Sequence, residues 1–421
     1  MDDLKVFKFG GACLKDAQSI TNAGTILQHF EGDKLLLVVS AVNKTTNQLE
    51  KVVNAFFSGN EEAVHMLQAI QYEHVALANQ LGINDPEALN EIEDCFIDAL
   101  WILEDQIQDP YDYVYDQIVA LGELASSKLN YHYFKNIGID IAWLDVRDIL
   151  RTDESYRAGV VDWNITQQKS QEKIAALLLT NKVIITQGFI GSTQDNTTTT
   201  LGREGSDYTA SILAYCVDAH SVHVWKDVEG IMTGDPKLYK NATLIKQLSF
   251  SEAIEMCYFG AKVLHPKTIK PIQNKNIPLF VRPFGDVMNP GTAITADQNF
   301  VYPPIVIIEE NQVLVELAVK DFSFVAEHHL SEIFAILKDL KIKVYLMRNT
   351  AINFIFSTKY EEVKIAKLKS CLEDSYFINV TSDLTLTTVR HADLDFARKE
   401  LGMKKVFFEE QFSHTLQLLH N

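Results

Sequence analysis

The sequence predicts an α/β protein: an open, largely parallel sheet sandwiched by helices, followed by a smaller ferredoxin-like βαββαβ unit. Three observations carry this reading. Short β-rich apolar runs alternate with longer helical patterns over the first 300 residues, the signature of βαβ units. With 421 residues, 47% hydrophobic and 22% charged, the chain is too long for one ordinary domain. Beyond residue 300 the order of elements changes, after a segment dense in turn formers.

Taken in order, strands are expected at Leu4–Phe9, Leu35–Ser40, Ile139–Leu144, Val183–Phe189, Val222–Lys226 and Leu279–Arg282. Between Glu61 and Phe134 apolar residues recur at three- and four-residue spacing, which predicts helices covering one side of the sheet. The stretch from Gly285 to Gly291, with Pro303-Pro304 after it, marks a boundary and divides the chain into 1–300 and 301–421. Then follow a Val313–Val319 strand, a Leu330–Leu340 helix, Lys343–Arg348 and Ala351–Ser357 strands, a Val363–Leu372 helix and a Phe377–Val380 strand. Further strands at Leu384–Val389, Lys405–Glu409 and Thr415–Leu419, together with Ile305–Glu310, suggest a second, reduced module.

Composition narrows the function. A balance of 38 Lys+Arg against 56 Asp+Glu leaves a net charge of -18, which argues against nucleic acid or a polybasic membrane surface and favours small-molecule partners. Five cysteines with no C-x-x-C pair show neither a disulfide framework nor a zinc ribbon, and fit a reducing cytoplasm. No apolar run is long enough to span a membrane, and the N-terminus lacks the cationic start and apolar stretch of a signal peptide.

Four segments carry chemistry. The first strand runs into Lys8-Phe9-Gly10-Gly11-Ala12-Cys13, where glycines at a strand-to-helix turn let backbone N–H groups approach phosphate oxygens and Lys8 reach a transferred phosphoryl. It is not a Walker A loop. A second glycine turn, Thr199-Thr-Leu-Gly-Arg-Glu-Gly-Ser-Asp-Tyr208, offers the planar fork of Arg203 to a carboxylate and puts Asp207 at a helix start. The third segment, from Trp225 to Lys237, lies at a strand's carboxyl end, where open α/β sheets bind ligands. The fourth, Gly260-Ala-Lys-Val-Leu-His-Pro266, sets Lys262 between two helical patterns. Read singly, each has a plain structural alternative: a tight turn, an N-cap, a surface lysine, a core histidine.

Together, in this order, the four segments resemble the aspartate kinase family of the amino-acid kinase superfamily, from Lys5 to about Thr292. The resemblance implies phosphorylation of the L-aspartate side-chain carboxylate by ATP, with Mg²⁺, giving 4-phospho-L-aspartate on the route to lysine, threonine and methionine. It implies that Lys8 and Asp207 serve catalysis and that Ser40, Thr46, Glu123 and Arg203 hold aspartate. Glu123 would meet the α-ammonium group and Arg203 the α-carboxylate. Lys8, Gly10, Gly11, Lys226, Asp227, Met232, Lys237 and Lys262 would contact the nucleotide, and the cations among these residues should converge on one cleft. No dedicated metal-ligand cluster is expected, because ATP phosphates would hold the metal.

This chain departs from the family at six places, of which Lys226 and Lys237 are milder changes. Ala12 and Cys13 replace two hydroxyl residues, Met232 replaces a residue often aromatic, and Glu204 stands where glycine is usual. Cys13 reads as a small buried filler, and Glu204 is expected to point away from the site. The tail resembles an ACT regulatory domain, which implies a homodimer and an amino-acid effector near Lys320, Phe324, Met347 and Asn349. Two alternatives remain: a different acceptor such as glutamate or N-acetylglutamate, or a decayed kinase-like amino-acid sensor.

Overall fold

The computed structural model describes residues 3–262, 264–321, 323–401 and 405–421. They group into two compact units, the first within 1–231, 244–254 and 263–300, the second within 232–243, 255–262 and 301–421. Nothing in the sequence marks the excursions 232–243 and 255–262.

The first unit is built on an eight-stranded sheet in the order Ile141–Leu144, Val183–Gln187, Lys34–Val39, Leu4–Phe9, Ser221–Lys226, Leu279–Pro283, Thr292–Thr295, Gln247–Ser249. Every pairing is parallel except Leu279–Pro283 with Thr292–Thr295. Central strands such as Leu35–Val39 and Val183–Gln187 are buried at every position, because helices cover both faces. The six expected strands form, with ends shifted by two residues at most. The fourth stops at Gln187 because Phe189 (φ 71°) turns the chain out of the sheet. Strands of three or four residues, Gln247–Ser249, Thr292–Thr295 and the Ile190–Ser192/Thr198–Thr200 hairpin, are too short to show a period and are additions to the expected set.

Helices Ala63–Gln80, Pro86–Asp94, Ile97–Glu104, Tyr111–Val119 and Leu121–Asn136 fill the stretch where only helices are expected. The core against the sheet is aromatic and aliphatic, with Phe7, Phe9, Trp225 and Phe134 fully buried. Asp16 caps the helix Ala17–His29 by accepting from Ser19 N at 2.8 Å.

The second unit is a six-stranded antiparallel sheet in the order Leu346–Asn349, Asn353–Lys359, Ile305–Val319, Tyr376–Arg390, Thr415–His420, Val406–Phe412. Its first four strands and the helices Glu327–Asp339 and Glu362–Leu372 make the expected βαββαβ unit. Ile333, Leu337, Ile365, Leu368 and Leu372 pack from those helices onto Val313, Val315 and Leu317. The strands expected to form a second, reduced module lie in this same sheet: Ile305–Val319 and Tyr376–Arg390 each run for 15 residues. Register shifts between Glu309 and Leu314 carry the pairing past Asn311 and Asp383, whose φ values are positive. The extra strands therefore extend one sheet, and a short helix, Leu394–Leu401, joins them.

Candidate active site

The site is assembled at the carboxyl ends of the central parallel strands, where such sheets bind ligands. The Leu4–Phe9 strand delivers Lys8, only 8% exposed, and ends in a tight 3-10 turn, Gly11–Leu14, closed by Cys13 N donating to Gly10 O at 2.8 Å. Glycine is required at 11, where a Cβ would stand 2.9 Å from Asn43 O and 3.1 Å from Ala41 O. Cys13 is the buried filler expected; burial pushes its thiol up to about 11, and the group donates to Trp225 O.

Opposite that turn begins the helix Gly205–Cys216, whose start is pressed against the end of the Val183–Gln187 strand. A Cβ on Gly188 would lie 2.6 Å from Ser206 Cβ. This packing sinks Asp207, the third helical residue, to 3% exposure. Its carboxylate lies between two ammonium groups, Lys8 Nζ at 2.5 Å and Lys226 Nζ at 3.4 Å. Burial alone would raise the Asp207 pKa, but the two lysines outweigh it and hold the carboxyl below its usual range. The arrangement fixes two cations side by side, with Asp207 as their shared anchor.

Glu123 has the opposite environment. It enters on the first turn of Leu121–Asn136 and is 3% exposed, with Oε1 accepting from Ala41 N at 3.3 Å. Its Oε2 is buried without a hydrogen-bond partner among the described residues, and burial raises the carboxyl to about 8. A buried acceptor left open in this way costs roughly 1–3 kcal/mol, which a donating cation would recover.

Lys8, Gly11, Ser40, Thr46, Glu123, Arg203, Asp207 and Lys226 line one cleft of about 590 Å³. Arg203 is exposed at its rim. Glu204, expected to point away, lines the same cleft, with Oε2 buried and without a hydrogen-bond partner among the described residues. The reason is backbone geometry: a left-handed φ of 55° at the helix entry turns the side chain inward instead of letting it cap the helix.

Other expected residues lie elsewhere. Gly10 stands beside the cleft, where a Cβ would come 3.2 Å from Lys8 Nζ. Asp227 is exposed in the loop after the Ser221–Lys226 strand. Met232, Lys237 and Lys262 belong to the second unit, Met232 half-buried and the two lysines exposed. In that unit Lys320, Phe324, Met347 and Asn349 are all exposed, and Lys320 Nζ donates to Glu373 O. Val263 and Phe322, within two of the segments singled out above, lie outside the described residues.

Among the cleft residues that sequence reasoning missed are Glu50, Tyr115 and Arg157. Glu50 could have been found, since it follows Thr46 by four residues on the helix Thr45–Phe57 and so shares its face. It accepts from Tyr115 Oη at 2.5 Å. Arg157 has no such signal; its guanidinium stacks 4.3 Å from the Tyr115 ring and pairs with Asp112 at 3.1 Å. Among the described residues no helix is long and apolar enough to cross a membrane.

Comparison with known proteins shows the family. The sequence model of the amino acid kinase family matches residues 3–283. The lysine-sensitive aspartokinase 3 of Escherichia coli (strain K12) is 32% identical over 362 residues, spanning 84% of this chain and 78% of that protein. A chloroplastic bifunctional aspartokinase/homoserine dehydrogenase 2 of Arabidopsis thaliana is 32% identical over 297 residues. That match spans 69% of this chain and 32% of the relative, so the chain covers about a third of such bifunctional proteins. Among solved structures, E. coli aspartokinase III with lysine and aspartate superimposes at a TM-score of 0.82 and 27% identity, covering 99% of this chain and 95% of that one. The same enzyme with aspartate and ADP gives 0.78 and 26%, covering 99% and 96%. Shared sequence, shared fold and a cleft with a paired-lysine corner lead to one assignment: the chain belongs to the amino acid kinase family, among its aspartokinases.

Proposed function

We propose that the chain is an aspartate kinase, transferring the γ-phosphoryl group of ATP, supplied as its Mg²⁺ complex, to the side-chain carboxylate of L-aspartate. The products are 4-phospho-L-aspartate and ADP. The observation that carries the reading is Glu123: a buried carboxylate with one open oxygen in the same cleft as the Lys8–Asp207–Lys226 cluster. That pairing suits a substrate with an ammonium group at one end and a reacting anion at the other.

A carboxylate is already a competent nucleophile, so the reaction needs alignment and charge neutralisation more than a base. One oxygen of the aspartate β-carboxylate forms the new bond to phosphorus while the bond to the bridging oxygen of ADP breaks. Lys8 and Lys226, held in place by their ion pairs with Asp207, would neutralise the phosphoryl oxygens as they move. Backbone N–H groups at Gly10 and Gly11 would hold the phosphates. Arg203 would take the α-carboxylate, Glu123 the α-ammonium group, and Ser40 and Thr46 would donate to the carboxylates. Asp227, Met232, Lys237 and Lys262 are assigned to the nucleotide side on the family pattern.

The second unit is assigned as an ACT-type regulatory region that pairs two copies of the chain and binds an amino-acid effector near Lys320, Phe324, Met347 and Asn349. The solved E. coli relative contains lysine, which makes lysine the first effector to try. The enzyme is placed in the cytoplasm, at the start of lysine, threonine and methionine synthesis.

A coupled ADP-release assay with aspartate, glutamate and N-acetylglutamate tests the activity, with Lys8→Ala as control. Turnover is expected with aspartate alone. Turnover with none of them would turn the reading to a non-catalytic amino-acid sensor.

A further inference from the structure

Glu204 adds a side chain to a turn whose backbone favours glycine. It lies at φ 55° and ψ 29°, directly before the helix that carries Asp207. Gly202 two residues earlier is also left-handed, at φ 74°. The carboxylate of Glu204 lines the cleft, and its Oε2 is shut off from solvent with no hydrogen-bond partner among the described residues. Glu123 contributes a second such oxygen.

The charged groups on the same cleft are already engaged in several directions. Lys8 and Lys226 are drawn to Asp207, and Arg157 to Asp112. Glu50 accepts from Tyr115, and Arg203 stands at the rim. The cleft thus offers two desolvated carboxylate oxygens without donors, one more than recognition by Glu123 alone would present.

We infer that Glu204 is a specificity-determining residue that makes the cleft read the net charge of the acceptor, favouring one with a cationic amino group and rejecting anions that lack it. The inference rests on the acceptor being aspartate, as proposed above. An ammonium group brings N–H donors to open oxygens, whereas a dicarboxylate without that cation offers them no donor and meets like charge in a poorly screened setting. A glycine at the same position would leave Glu123 to discriminate alone.

The test uses the full chain and its Glu204→Gln and Glu204→Gly variants. Aspartate is the acceptor in the ADP-release assay, and succinate, aspartate with hydrogen in place of the amino group, is the competitor. The quantity read is the succinate Ki divided by the aspartate KM. Both variants should lower this ratio at least about fivefold. Glutamine keeps the side-chain size and the left-handed backbone, so agreement between the variants separates loss of charge from relief of backbone strain. A smaller change in Glu204→Gln, with aspartate still turned over, overturns the inference and leaves the kinase reading intact. No turnover of aspartate by any of the three proteins refutes both.

Discussion

Replacing Glu123 with glutamine tests the proposed recognition of the acceptor's ammonium group. Glu123 is 3% exposed, and burial lifts its carboxyl to about 8. At neutral pH roughly one molecule in ten therefore carries the carboxylate that an ammonium group requires. Acceptor affinity scales with that competent fraction, so the aspartate KM should fall roughly 25-fold between about pH 6.5 and 8.5 while kcat changes little. Glutamine keeps an acceptor for Ala41 N but cannot ionise. Its KM should be flat across this window and, near the upper end, roughly 10- to 150-fold above wild type, as follows from about 1.5–3 kcal/mol for a hydrogen bond to a charged group. Stability gives an independent readout. The folded carboxyl titrates near 8 and the unfolded one near 4.5, so the folded chain retains a proton that the unfolded chain releases. Wild-type stability should then decline as pH rises between those values and level off above them, and Glu123→Gln should remove the decline. Initial rates and thermal melts across pH measure both. A wild-type KM that does not change with pH, or a glutamine variant that keeps the slope, refutes the reasoning.

Lys8→Met removes one of the two cations facing Asp207; kcat should drop roughly 10²–10³-fold, and urea unfolding should show a loss of about 3 kcal/mol, since a buried charge is left half-compensated. Wild-type stability in that variant would mean that the pair does not hold the cleft together. Gly11→Ala pushes a methyl group to 2.9 Å from Asn43 O and should cost about 1–3 kcal/mol in chemical denaturation, with a lower kcat/KM. Gly291→Ala is harsher, because φ is 66° and the new Cβ would fall 2.0 Å from Val281 O; little soluble protein is expected at 37 °C, and normal expression would contradict the turn geometry. Arg203→Lys should raise the aspartate KM about tenfold with kcat nearly unchanged, as expected when a two-pronged carboxylate contact becomes a single one.

Much of the fold could be read from local pattern. Runs such as Leu-Leu-Leu-Val-Val at 35–39 leave few options but a strand covered on both faces, and three- and four-residue spacing over 61–134 points to helices. Short strands such as Gln247–Ser249 were not legible, because three residues carry no period. The unbroken course of Ile305–Val319 was hidden for a related reason: Glu310-Asn311-Gln312 breaks the apolar run and reads as a turn, while pairing with Tyr376–Arg390 carries the strand through it.

The candidate site divides in the same way. Residue type and order determined which chemistry could occur: glycines ending one strand, an arginine and an aspartate at a helix start, a lysine at each of two strand ends. Only the tertiary structure decided the electrical state of those groups. Asp207 and Glu123 are both buried carboxylates at helix starts, yet one is held below its usual range by two lysines, while burial lifts the other to about 8 against weaker opposition from backbone N–H groups and Lys8. The inward course of Glu204 was decided there too, by a left-handed backbone. Strand and helix patterns depend on neighbours a few residues away, whereas a pKa depends on charges and burial contributed by segments far apart in the chain, which meet only when the sheet is assembled.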